Sequence, residues 1–297
     1  MNESARPVPH QIDAQALQQQ LRRLARREEA PWLHAEVARR MAERLDFIKL
    51  KPADYLEWGP GLGDSLAALQ AAYPDARAWW VEPTPTLRQR AEQRLQKPWW
   101  RKLLASAGPQ LAQGGEPVQM LWANMALHAA PDKPALLKTW HQLLAVDGFL
   151  MFSCLGPDSL VELVRLYESL GWGRPLPAWV DMHDLGDMMV EAGFADPVMD
   201  QERLRLTWSE PEKLLADLRS LGGNVAAARF AGLRTPRWRR KLLGALEGLR
   251  GPDGLIALSL ELVYGHAFKP VPRPRMSGET HVSLDDMRSM VRRPGKD

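Results

Sequence analysis

Cysteine is almost missing from this chain. Its single copy, Cys154, excludes an internal disulfide and suits a reducing compartment, so a cytoplasmic protein is expected. Long apolar runs are missing too. None reaches the roughly 20 residues that a membrane-spanning helix needs. The opening residues, Met1 to Pro7, lack the apolar core of a secretory leader. Charge of one sign is scarce: 39 basic against 36 acidic side chains leave a formal +3. That balance permits an acidic partner without asking for nucleic acid, and neither nucleic acid nor membrane is expected as a partner. Tyrosine and phenylalanine are few, at 4 and 6, whereas tryptophan is plentiful at 12. Most of these indoles, including Trp79-Trp80 and Trp99-Trp100, are expected to be buried with their N–H groups hydrogen-bonded. A hydrophobic content of 45% supports a sizeable core, and 297 residues allow one large domain or a domain with an insertion.

What is present centres on Tyr55-Leu56-Glu57-Trp58-Gly59-Pro60-Gly61-Leu62-Gly63-Asp64-Ser65. An apolar strand runs into an acid and then into glycine at every second position. Such a run leaves the backbone bare where a ligand must approach or φ must be positive. Asp64 or Ser65 is placed to cap a helix beginning at Leu66. A strand, a glycine loop and a helix start form a nucleotide-type site. The dinucleotide pattern G-x-G-x-x-G/A meets Asp64 at its last place, where a pyrophosphate would face a carboxylate. A second acid, Glu82, closes the apolar run 76–81, nineteen residues after Gly63. This is the distance at which such folds place a carboxylate to accept from ribose hydroxyls.

Along the chain, helices are expected over 14–29 and 32–45, the second opened by Pro31 and carrying Leu33, Val37, Met41 and Leu45 on one face. Thr84 reads as an N-cap for a helix to Leu95. Residues 98–117 read largely as loop, followed by strands over 118–123 and 149–154 and a helix over 134–144. Asn124 and His128, just past the first of these strands, face the ligand crevice of a parallel sheet and become catalytic candidates. Further helices are expected at 159–170 and 181–194, then strand pieces over 195–200 and 203–208. Helical segments follow at 211–221, 226–230 and 236–249, and then a last strand over 255–268. Alternating strands and helices give an α/β, doubly wound sheet, with helices inserted before the last strand.

The glycine stretch resembles the first motif of class I S-adenosylmethionine (SAM) methyltransferases. Met182 to Asp187, Ala192 to Asp200, Tyr264 to Pro270, Asn124 to His128 and Leu155 to Leu160 are similar to the malonyl-[acyl-carrier protein] O-methyltransferases of biotin synthesis. The resemblance runs from about Trp32 to the tail. It implies a mostly parallel, Rossmann-like seven-stranded sheet, SAM as cofactor and malonyl-acyl-carrier protein as partner. It implies methylation of the free malonyl carboxylate. It also implies that Glu57, Gly59, Gly61 and Gly63 line the methionine end of SAM, that Glu82 holds the ribose and that Asn124 sits near the methyl group. On this reading residues 1–50 are helices over the cofactor mouth, 51–209 the cofactor-binding unit and 210–250 a helical lid. Residues 251–270 form the last strand and 271–297 a mostly disordered tail.

The substrate carboxylate calls for a donor that is always charged, and the lid offers Arg229, Arg234, Arg237, Arg239 and Arg240. These arginines also suit an acidic carrier surface. Several positions depart from the family pattern. Its Tyr-Asp pair before the second helix is absent from Arg27-Glu28-Glu29-Ala30-Pro31-Trp32, and no acid lies between Ser106 and Gly115. Gln119 and Ala123 stand where an acid and a serine are usual, and Trp58, Pro60 and Leu62 where smaller residues are common. A carboxyl methyltransferase, a non-catalytic relative kept as a binding or regulatory partner, and a relative acting on another substrate all remain open to the sequence.

Overall fold

The structure is a computed structural model that describes residues 11–27, 29–95, 109–112, 117–230 and 232–272. Its strands are β1 (Asp54–Trp58), β2 (Arg77–Val81), β3 (Gln110–Leu111), β4 (Val118–Ala123), β5 (Leu144–Leu155), β6 (Ala195–Trp208) and β7 (Ile256–Phe268). They form one seven-stranded sheet in the order β3-β2-β1-β4-β5-β7-β6. The first five are parallel, and β7 runs antiparallel between β5 and β6. The mostly parallel, doubly wound sheet expected from the alternation of elements is therefore present.

Alternation within the central strands explains why both faces are covered. Tyr55, Met120, Trp122 and Met151 pack on one face with Leu33, Val37 and Met41. Leu56, Leu121, Ala123 and Leu150 pack on the other with Leu137, Trp140 and Met189. Strands buried on two sides read as nearly continuous apolar runs. The edge strand β6 instead alternates, and its Asp200 and Glu202 meet a neighbouring helix: Arg44 pairs with Asp200 at 2.6 Å, and Arg40 pairs with Glu202.

The helices are α1 (Ala14–Ala25), α2 (Trp32–Glu43), the single turn α3 (Pro60–Gly63), α4 (Leu66–Ala72), α5 (Pro85–Leu95) and α6 (Lys133–Leu143). They continue with α7 (Val161–Ser169), α8 (Met182–Glu191), α9 (Pro211–Leu221) and α10 (Pro236–Glu247). Asp13 caps α1 by accepting from the Ala16 N–H at 2.9 Å. The expected cap at Thr84 is made, its hydroxyl accepting from Leu87 N at 3.3 Å. Ser65 stands before α4 but its hydroxyl turns back to donate to the Gly63 carbonyl at 3.2 Å, so it makes no side-chain cap.

Four expectations change. The first helix stops at Ala25, short of Glu29. The pieces 195–200 and 203–208 are one continuous strand, because the long antiparallel β7 pairs along its length. Within the loop-like 98–117, Gln110 and Leu111 form β3 against Trp79 and Trp80. Residues 226–230 are not helical. Gly222 breaks α9 at φ 141°, and Ala226 bridges Ile12 instead. The tryptophan expectation holds only in part. Trp80, Trp122 and Trp140 are buried, but the indole N–H groups of Trp122 and Trp140 have no hydrogen-bond partner among the described residues and that of Trp80 only leans toward Glu57, whereas Trp208 donates to Asp217 at 2.8 Å. Residues 1–10, Trp99-Trp100 and the tail from 273 lie outside the described residues.

Candidate active site

The site lies at the carboxyl ends of β1, β2 and β4. Gly59 leaves β1 at φ 72°, a conformation side chains other than glycine rarely adopt, and starts the α3 turn. Glu82, just past β2, folds back over this turn and accepts from the Gly61 N–H at 2.5 Å. A Cβ on Gly61 would stand 2.6 Å from Glu82 Oε1, so only glycine permits that approach.

Glu57 is 1% exposed, and neither carboxylate oxygen is in a well-formed hydrogen bond among the described residues, although Ser65 and the Trp80 indole lie near enough to favour its charged form. Burial pushes its carboxyl up to about 7. Ser65 pulls it down and the Glu82 charge pushes it further up. Its Oε1 lies 3.4 Å from where a Cβ on Gly63 would sit. Two carboxylates thus flank a bare loop. That arrangement suits a cationic group and a ribose, and it repels a pyrophosphate.

Asn124 follows β4 and is 3% exposed. Its Nδ2 donates to the Gly63 carbonyl at 2.6 Å and to the His34 carbonyl at 2.7 Å, while Ser153 Oγ donates to its Oδ1 at 2.7 Å. Ser153 also accepts from Met125 N, which helps hold Met125 at φ 53°. His34 Nδ1 lies 2.6 Å from the Leu62 carbonyl, so the neutral tautomer with a proton there donates to it. Burial lowers the His34 pKa to about 4. Helix α2 is therefore latched onto the glycine turn through one residue. Composition and spacing pointed to neither His34 nor Ser153. A histidine one turn into a helix and a serine inside an apolar strand carry no pattern of their own.

His128 is half-buried against Trp179, with ring centroids 6.3 Å apart and its shielded Nδ1 unpartnered among the described residues. Burial first, then the charges of His34 and Lys133, lower its pKa to about 3. Cys154 is buried and free, with its thiol pushed up to about 12. No group of three or more metal-ligating side chains occurs among the described residues. No helix there is long and apolar enough to cross a membrane.

The five arginines of the insertion before β7 divide. Arg229 pairs with Asp13 at 2.7 Å, and Arg234 lies over the Phe230 and Trp238 rings at 3.8 and 4.6 Å. Arg237, Arg239 and Arg240 are exposed on α10. Arg229 belongs to a wider seam. Asp13 N donates to the Val225 carbonyl at 2.8 Å, and Gly223 N donates to Gln20 Oε1 at 3.0 Å. The segment before β1 and the insertion before β7 are thereby joined to each other, and Arg90 Nη1 ties α5 to the Leu24 carbonyl at 2.8 Å.

Comparison with known proteins agrees with this geometry. A family model described as a methyltransferase domain matches residues 32–196. A malonyl-[acyl-carrier protein] O-methyltransferase of Gallionella capsiferriformans is 38% identical over 90% of this chain and 94% of its own. The protein of the same name from Laribacter hongkongensis is 37% identical over 87% and 88%. Among solved structures, the YcgJ protein of Bacillus subtilis shares the fold, with a TM-score of 0.50 at 10% identity over 78% of this chain and 98% of that one. On the identity and coverage of these relatives, this chain belongs to the malonyl-[acyl-carrier protein] O-methyltransferase family.

Proposed function

We propose that the chain is a cytoplasmic SAM-dependent methyltransferase that esterifies the free carboxylate of malonyl-acyl-carrier protein in biotin synthesis. The observation that carries this reading is the pair of carboxylates, Glu57 and Glu82, set around a glycine turn. The relatives named for malonyl-acyl-carrier protein supply the substrate. When bound, SAM supplies an electrophilic methyl group that a carboxylate oxygen takes without moving a proton, the sulfur leaving with the C–S electron pair as a neutral thioether.

The chain's own residues bind, orient and exclude water. Glu82, which accepts from Gly61 N in the free protein, would hold the ribose hydroxyls. Glu57, buried and only part-ionised near pH 7 in the free protein, would ionise fully beside the cofactor's positive charge. Asn124, whose polar atoms are all engaged, positions the Gly63 carbonyl and the start of α2 and touches no substrate. His128 stays neutral and carries no proton. Positioning and dehydration of a nucleophile that is already anionic supply the acceleration.

The test is mass spectrometry of malonyl-carrier protein after incubation with the chain and SAM. A single methyl ester on the malonyl group is expected. An unmodified malonyl group, with SAM binding verified by calorimetry, would overturn the substrate assignment.

A further inference from the structure

A cleft of about 400 Å³ opens between the α1–α2 linker and the end of α9, lined by Arg27, Glu29, Ala30, Pro31, Trp32 and Ser220. It adjoins the site through the first turn of α2. His34 N donates to the Pro31 carbonyl at 2.9 Å, and the His34 carbonyl accepts from Asn124. Its size suits a small acyl group and the end of its thioester arm, not a protein surface.

Arg27 sets this cleft apart. Arg39, Arg40 and Arg44 on the neighbouring helix are spent on carboxylates, as Arg229 is, and Arg234 is spent on rings. The Arg27 guanidinium has no hydrogen-bond, ion-pair or ring partner among the described residues, although Glu29 shares the lining.

We infer that Arg27 is the clamp for the substrate's free carboxylate, held in this cleft against Trp32. The inference rests on the carboxyl methylation proposed above. A guanidinium offers two parallel donors to a carboxylate and never loses its charge. Glu29 in the same lining opposes a second negative group, so the cleft prefers a monoanion, which a malonyl thioester is. Methylation removes that one charge, and the neutral ester loses the pairing that held it.

The experiment compares wild type with Arg27→Gln and Arg27→Lys in the full chain. Arg27 is exposed, so both variants are expected to fold. Arg27→Gln should lower kcat/KM for malonyl-carrier protein about 50-fold, mainly through KM, consistent with loss of a charged hydrogen-bonded pair. Arg27→Lys should recover part of it. SAM affinity by calorimetry should stay within about twofold. In a binding competition the wild type should prefer malonyl- over acetyl-carrier protein, and Arg27→Gln should bind the two alike. An active wild type whose Arg27→Gln variant keeps both rate and preference overturns the clamp. So does a variant whose SAM affinity falls as far as its rate, since Arg27 would then serve the cofactor. A wild type that leaves malonyl-carrier protein unmethylated overturns the function itself, a separate result.

Discussion

Two buried polar side chains stand at neighbouring strand ends and differ in one respect. Asn124, past β4, has a protein partner for each polar atom: two carbonyls on its amide nitrogen and a hydroxyl on its oxygen. Glu57, on β1 and in register with Trp122 of β4, has no well-formed hydrogen bond among the described residues, only the weaker help of Ser65 and Trp80 nearby. A satisfied buried network fixes geometry, and this one pins α2, the glycine turn and β5 to one another. A buried carboxylate without partners weakens the free protein and gains when a cation arrives. The first group keeps the site's shape and the second waits for its occupant.

The sharpest way to break this contrast is Asn124→Ala. It strips donors from the buried carbonyls of Gly63 and His34 and leaves Ser153 facing a gap, for an expected loss of about 4 kcal/mol in urea unfolding. Ser153→Ala added to that background should cost about 1 kcal/mol, less than in the wild type, because its bond to Asn124 is already gone and only its acceptance from the Met125 N–H is left to lose. A loss for Asn124→Ala under about 1 kcal/mol would mean the network is not holding the three elements.

Glu57→Gln should act in the opposite direction. The folded carboxyl titrates near 7 against an ordinary 4.5. The folded state therefore holds its proton more tightly, and wild-type stability falls as pH rises from about 4.5 to about 7 and stays low above that. At pH 8 the glutamine variant should be more stable by at most about 3 kcal/mol, with the two curves meeting below about pH 4.5. SAM binding should show the mirror image. Wild-type affinity should tighten as pH rises through about 7, and Glu57→Gln should stay weak and flat. A variant that binds SAM like the wild type across this range would remove Glu57 from the cofactor's surroundings.

The same contrast separates what could be read in the sequence from what could not. The sheet and most helices were legible because their signals are local: apolar runs for strands, Pro31 and Thr84 for helix starts, and Gly59 where a left-handed residue is needed. Glu57 and Glu82 were legible because a fixed spacing ties them to the glycine turn. The Asn124 network was only half legible, since its partners His34 and Ser153 come from distant segments and have no motif. Residues 226–230 were misread for a related reason. Ala226 bridges Ile12 and the Ala227 N–H donates to the Gln11 carbonyl, more than two hundred residues away, and helix propensity carries no knowledge of that pairing. The insertion's arginines were read as a group, yet Arg229 and Arg234 are consumed by Asp13 and by aromatic rings.

His128 supplies the smallest expected effect and sharpens the contrast from its third side. Like Glu57 it shields an unpartnered atom, its Nδ1, but the residue as a whole is half-buried, it faces the Trp179 ring and its pKa is held near 3. It is therefore neutral at any working pH and presents no charge for a ligand to meet. Methyl transfer to an ionised carboxylate has no proton for it to carry. His128→Phe, which keeps a flat ring against Trp179, should leave kcat at pH 7.5 within about threefold of wild type. Its stability should differ mainly in acid. The unfolded histidine takes up a proton below about 6.5 while the folded one does not, so the wild type weakens as pH falls through that range. Melting curves at pH 7.5 and pH 5 should show a smaller drop for His128→Phe, with the residual drop owed in part to His34. A well-folded His128→Phe that loses about a hundredfold in kcat would instead place the imidazole at the reacting atoms.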